Sequence, residues 1–264
     1  MANLSGNIVW MSSATSTNDV AWEEGQAEWK ERGARFLSVH ADGQTGGRGR
    51  AGRAWSSPAG AGFYFSTYLR LEWEPARAAL LTLAAGLAAR TACEEVTGIA
   101  PDLKWPNDLL APDRSGRKLG GILTETRSEG GKITEAVIGV GINVRTPPSG
   151  YAVDAAADPV ALDAFVHGED RERLRPAQLI EPYLLALGDE IGRLEHADGP
   201  ADIVSRCRAA SPLWGRRVRV DQGGRAVEGL AKDLAEDGGL VVRLLSGADV
   251  VIHAGDVRVV WDEA

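Results

Sequence analysis

The apolar residues recur with two different periods along the chain, and the switches between them predict where elements begin and end. Ile8 to Met11 is a short apolar run that predicts a strand. Thr17 to Arg32 carries good helix formers, with Ser16 or Thr17 placed to cap it, and predicts a helix. Residues 34–41, ARFLSVHA, predict a strand that delivers the chain into a glycine-rich stretch. Residues 62–71, GFYFSTYLRL, alternate aromatic and small side chains, as a strand with one buried face does. A long helix is expected over residues 75–96. Its apolar centre, AALLTLAAGLAA, lies between Arg77 and Arg90 and is too short to cross a bilayer, so it predicts a core helix. DLKWPNDLL predicts a strand running into a Pro-Asn-Asp turn. KLGGILTETRS and KITEAVIGVGINV predict a hairpin about Glu129-Gly130-Gly131. The acidic stretch 154–158 predicts a loop, and helices are expected over 160–210.

After Ser211-Pro212 the rhythm changes to short strands at barrel-like spacing: WGRRVRV, RAVEGLAKDL, GLVVRLL, VVIHAG and DVRVVW. The expected fold is therefore α+β. A mixed β-sheet with helices would occupy residues 1–211, and a small SH3-like β-barrel leaning on it would occupy 212–264.

Composition narrows the function. The chain has 264 residues, 44% of them hydrophobic, which is ample for a core. A net charge of −8 disfavours nucleic acid as a primary partner. Cys93 and Cys207 form no CxxC and no disulfide framework, which fits a reducing cytoplasm. No signal peptide is expected at the N-terminus.

Against that acidic background, GQTGGRGRAGRAW (Gly43 to Trp55) holds five glycines and three arginines in thirteen positions. Ordering about ten such residues costs on the order of 10 kcal/mol, more than the loop's own side chains supply, so a bound anion is expected to order it. The segment is not a Walker A loop, because no GK[ST] follows, nor a GxGxxG turn. A flexible nucleic-acid tether would carry the same residues, but here two strands flank the loop and Trp55 fixes its exit, which favours arginines clamping a phosphate or carboxylate.

Three further motifs bear on that anion. In KWPND a rigid turn either lies on the surface or aims Asn107 and Asp108 into a pocket, where a carboxylate suits Mg²⁺. In GRKLGGIL, Lys118 is either solvated or directed at a phosphate, with Gly120 and Gly121 admitting a narrow ligand. In GVGINV, Asn143 is either a strand-end amide or a reader of an adenine edge. His40, His167, His196 and His253 have neither metal-ligand nor triad spacing. Cationic donors, a metal-capable acid and no nucleophile together suit adenylate formation, in which a substrate carboxylate attacks the α-phosphate of ATP.

The ordered set STN (Ser16 to Asn18), GQTGGRGRAGRAW, KWPND, RKLGGIL and GVGIN resembles the biotin protein ligases over nearly the whole chain. The resemblance implies a class II synthetase-like fold with a C-terminal barrel, of the type without an N-terminal DNA-binding domain. It implies ATP and Mg²⁺ as cofactors, biotin as substrate and a biotin carboxyl carrier domain as acceptor, in the cytoplasm, with no DNA or membrane partner. It also implies site roles. Ser16, Thr17 and Asn18 would line the biotin ring and Gln44 would bond the ureido group, with Gly47 beside them. Arg48, Arg50 and Lys118 would hold the carboxylate and phosphate and act in catalysis. Gly120 and Gly121 would border the biotin tail. Trp55 and Asn143 would face adenine, Arg53 would join the nucleotide side, and Asp108 with Asn107 would sit at the metal. Lipoate or octanoate ligases are the related alternative, and a sheet edge is expected to pair with a carrier domain or a second subunit.

Overall fold

A computed structural model of the chain describes residues 7–151 and 158–259. The loop expected at 154–158 and the end of the last strand fall largely outside these residues. Strand β1 (Ile8–Met11) leads into helix α1 (Thr17–Arg32), which stops at Gly33 in the left-handed region. Strands β2 (Phe36–Ala41) and β3 (Gly62–Trp73) flank the glycine-rich loop. The expected long helix begins as a single tight turn at Pro75–Arg77 and becomes α-helical as α2 over Ala78–Thr97. Strands β4 (Asp102–Lys104) and β5 (Asp108–Leu110) enclose Trp105-Pro106-Asn107, so Asp108 opens a strand instead of lying in the turn. The expected hairpin forms as β6 (Lys118–Glu129) and β7 (Lys132–Asn143). Helices α3 (Gly168–Arg173), α4 (Ile180–Leu194) and α5 (Gly199–Ala209) complete this part.

These strands form a seven-stranded sheet in the order β1-β2-β3-β7-β6-β5-β4, in which β1 and β2 are parallel and the other neighbours antiparallel. Its two faces are unequal. The larger core lies on the side of α2 and α4, gathering Phe63, Phe65, Leu81, Ile138 and Ile142. On the other face α1 covers a small cluster of Ala21, Leu37, Val39, Tyr68 and Val137. The buried residues of α1 include polar Thr17 and Asn18, and burying polar side chains demands partners. That side of the sheet therefore gives up part of its apolar burial to a polar network.

Strands β8 (Arg217–Asp221), β9 (Ala226–Leu234), β10 (Leu240–Leu244), β11 (Asp249–Ile252) and β12 (Asp256–Val259) form a second, antiparallel sheet in the order β11-β10-β9-β8-β12, consistent with the expected SH3-like barrel. Val218, Leu234, Val242 and Ile252 belong to the same hydrophobic cluster as Phe63 and Leu81. The barrel thus shares its core with the large sheet.

Candidate functional site

The N-terminus of α1 is where the glycine-rich loop docks. Ser16 occupies the cap position, but its side chain makes no capping bond. The cap comes from the loop instead: Gln44 Oε1 accepts the Thr17 N–H at 2.8 Å and the Thr17 hydroxyl at 3.1 Å. This satisfies one of the free N–H groups that every helix start presents. Gln44 Nε2 donates in turn to the Ser57 hydroxyl at 2.9 Å. Ser66 Oγ bridges Thr17 Oγ1 and Asn18 Oδ1, each at 2.7 Å, and Asn18 Nδ2 donates to Glu125 Oε2 at 2.7 Å. Ser16, Thr17 and Asn18 are all buried.

Two glycines of β7 make room for this network. A side chain at Gly139 would collide with the Asn18 carboxamide, and at Gly141 a Cβ would lie 2.6 Å from Trp55 Nε1. Asn18 and the Trp55 indole thus lie directly on the sheet, in the space that side chains at these two positions would take. Trp55 Nε1 is buried and has no acceptor. Lys118 Nζ lies 5.4 Å from the Trp55 ring centroid, and a Cβ at Gly121 would face that lysine at about 3.5 Å. Gly120 differs, because its missing side chain points at Leu109 and Ile142 in the core. It spaces β6 from its neighbours and does not face Lys118 or Trp55.

Of the three loop arginines, Arg50 and Arg53 both meet Asp256 and Arg48 stands apart from them. Arg48 forms a two-pronged ion pair with Asp19, Nη1 reaching Oδ2 at 2.7 Å and Nη2 reaching Oδ1. That bond to Asp19 holds the guanidinium above its ordinary value and the Asp19 carboxyl below its own. Arg50 donates to Asn107 Oδ1 at 3.3 Å and to the Gly255 carbonyl at 3.2 Å, and burial lowers its pKa. Arg53 pairs with Asp256 of the barrel. The anions that meet the arginines are therefore the protein's own carboxylates, supplemented within the loop by backbone bonds such as Trp55 N–H to Gly47 O at 2.9 Å. The sequence had assigned that ordering role to a ligand.

Asp108 sits between two ammonium groups, Lys104 at 2.8 Å and Lys118 at 2.6 Å. Burial works to raise its pKa, but the two lysines win and hold it at about 2. Both carboxylate oxygens thus already face cations. Asn107 Oδ1 accepts from Arg50 and its amide donates to the Ile122 carbonyl at 2.7 Å. Among the described residues no group of three His, Cys, Asp or Glu gathers to hold a metal ion. Of the two residues expected at a Mg²⁺ site, Asp108 orients the two lysines and Asn107 ties Arg50 to β6, so their oxygens are engaged and do not fit a resident cation. Asn143 is buried, and its amide donates to the Val160 carbonyl at 3.2 Å, as a strand-end amide does.

Asp19, Ser57, Ser66, Glu125 and Asp256 join the site without having been singled out in the sequence. Asp19 was foreshadowed only by following the STN motif directly. On the α2 side of the sheet a cleft of about 540 Å³ reaches Arg50 and Asn107.

A polar network at a helix start, a lysine held by a carboxylate and an arginine-bearing loop are the donors that a carboxylate and a phosphate call for. The Biotin/lipoate A/B protein ligase family matches residues 10–143, and the Biotin protein ligase C terminal domain matches residues 214–259. The biotin--[acetyl-CoA-carboxylase] ligase of Mycobacterium tuberculosis is 36% identical over 222 residues, covering 82% of this chain and 76% of the relative. The bifunctional ligase/repressor BirA of Escherichia coli is 33% identical over 199 residues, covering 75% of this chain and 59% of the relative. Among solved structures, Leishmania major biotin protein ligase in complex with biotinyl-5-AMP superposes with a TM-score of 0.63 at 27% identity, covering 94% of this chain and 99% of that one. The Aquifex aeolicus biotin protein ligase with biotin and ATP shares the fold at TM-score 0.73 and 24% identity, covering 97% and 99%. The chain belongs to the biotin protein ligase family.

Proposed function

We infer that the chain joins biotin to a protein lysine in two steps. The biotin carboxylate attacks the α-phosphate of ATP, forming biotinyl-5′-adenylate and releasing pyrophosphate. The ε-amine of a lysine on a biotin carboxyl carrier domain then attacks the acyl carbon, giving the amide and AMP. The observation that carries this reading is Lys118. Its ammonium is fixed by Asp108 at 2.6 Å, with the Trp55 ring and Gly121 beside it, where a substrate carboxylate would meet it. A preoriented cation at the point where negative charge builds is the main device for such a transfer.

In this reading Ser16, Thr17 and Asn18 surround the biotin ring, Gln44 meets the ureido group and Gly47 lets the loop close on it. Arg48 and Arg50 hold the carboxylate and phosphate with Lys118. Trp55, whose indole N–H lacks an acceptor, faces the nucleotide with Arg53. Magnesium enters as the counter-ion of ATP, since Asp108 and Asn107 are already engaged. The free, buried Cys93 and Cys207 suit a cytoplasmic setting. No described helix is long and apolar enough to cross a membrane. Strand β1, an edge of the large sheet with Trp10 60% exposed, is the edge on which a carrier domain or a second subunit would pair.

Pyrophosphate exchange into ATP tests the first step, with biotin, lipoate and octanoate supplied in parallel. Exchange supported by biotin alone is expected. Exchange with lipoate or octanoate instead would move the chain to the lipoate side of its family, and exchange with none would withdraw the roles given to Arg48, Arg50 and Lys118.

A further inference from the structure

We propose that Asp19 is a positioning residue for the arginine loop, holding Arg48 against the first turn of α1 before substrate arrives. The proposal rests on the ligase reading for its kinetic consequence, and on the Arg48–Asp19 geometry alone for its structural one. Asp19 lies in the first turn of α1, one residue after Asn18. That turn is firmly anchored: Gln44 caps it, and Ser66 and Glu125 hold Asn18 from the sheet. Arg48, by contrast, stands in a segment with glycines at 46, 47, 49 and 52, which offer no side chains to pack. The backbone there is paired, Arg48 with Ala54 and Gly49 with Arg53, and the two-pronged bond to Arg48 adds a side-chain tie from that pairing to the anchored helix.

The chemistry of the pair suits a temporary hold. A carboxylate presents the same planar pair of oxygens whether it belongs to Asp19 or to an acyl substrate, so Arg48 can exchange one for the other. The pair is also half exposed, with Arg48 at 37% and Asp19 at 50%. An ion pair so wetted changes an equilibrium by about fivefold at most, enough to bias the loop and too little to trap it. A loop already near its bound position gives up less freedom on binding, which appears as tighter substrate binding. The competing role for Asp19 is merely an acidic residue favouring the start of its own helix.

Two readouts on Asp19→Asn separate these roles. The first is the rate of tryptic cleavage after Arg48, Arg50 and Arg53 in the ligand-free protein. The second is the split between KM for biotin and kcat in pyrophosphate exchange. Expected for Asp19→Asn are cleavage about threefold to fivefold faster and a KM for biotin raised by a similar factor, with kcat unchanged. Asp19→Glu should restore both, and raising the salt should bring the wild-type loop toward the variant's cleavage rate. Cleavage at the wild-type rate, or an unaltered KM, overturns the proposal even where the variant melts at a lower temperature. If the wild type shows no biotin-dependent exchange, the ligase reading fails, and the proteolysis comparison still decides whether Asp19 tethers the loop.

Discussion

Asp108 shows how one residue can be both legible and misread. Its place in KWPND marks it as functional, and a lone acid among cationic motifs suggests a metal. The β5–β6 pairing, in which Asp108 lies opposite Gly121, instead brings Lys118 to one of its oxygens while Lys104 takes the other. Nothing in the spacing of KWPND and RKLGG reveals that register. Replacing Asp108 with Asn would leave two partly buried ammonium groups without their counter-ion, and removing one partner of such a cluster costs about 3 kcal/mol. The sign with pH follows from the lowered pKa. A carboxyl held at about 2 when folded, against 3.8 ordinarily, contributes its full stabilisation above the ordinary value and loses it as the pH falls toward 2. Thermal melts should therefore show a wide gap between wild type and Asp108→Asn at neutral pH that narrows below about pH 4. A gap that is constant down to pH 2 would mean that the lysines do not depend on this charge.

Elements obey a plainer logic, and most were readable from residue periodicity. Helix α1 runs over the expected Thr17–Arg32, and the β6–β7 hairpin turns where Gly130-Gly131 require positive φ. What periodicity could not supply was which sheet face each glycine serves. GVGINV marks Gly139 and Gly141 as unusual, but only the pairing of β7 with β3 and β6 places both on the α1 face. Likewise RKLGGIL contains two adjacent glycines, of which strand alternation can turn only one, Gly121, toward Lys118. Asn18 packs so closely over Gly139 that Gly139→Ala would push the start of α1 away from the sheet. Overpacking of this kind costs about 1–3 kcal/mol, and here it would also loosen the Asn18–Glu125 and Thr17–Gln44 bonds. The expected result is a lower melting temperature together with weaker biotin binding by calorimetry. Unchanged biotin affinity would place the ring elsewhere than between Asn18 and Trp55.

At the scale of the whole molecule, the change of strand rhythm at Ser211-Pro212 predicts a barrel that leans on the large sheet, and the hydrophobic cluster runs across the boundary. Leu234 of β9 is 4% exposed and joins that cluster. Nearby, Trp105 Nε1 donates to the Gly238 carbonyl at 2.9 Å, so the KWPND turn hangs on a barrel loop. Arg208 of α5 pairs with Asp233 and donates to the Leu234 carbonyl at 3.1 Å. A sheet of about fifty residues closes too small a core to be secure alone, so the shared cluster stabilises the barrel and stiffens the turn that carries Asn107 and Asp108. The chain should then unfold as one cooperative unit, not as independent pieces at 1–211 and 212–264. Leu234→Ala tests this, since truncating a buried leucine costs about 2–5 kcal/mol. Scanning calorimetry should show a single transition displaced as a whole, with tryptophan fluorescence following it at the same temperature. A second transition, with the mutation moving only the smaller of the two, would show that the barrel melts by itself and that the Trp105–Gly238 contact is incidental to the stability of the site.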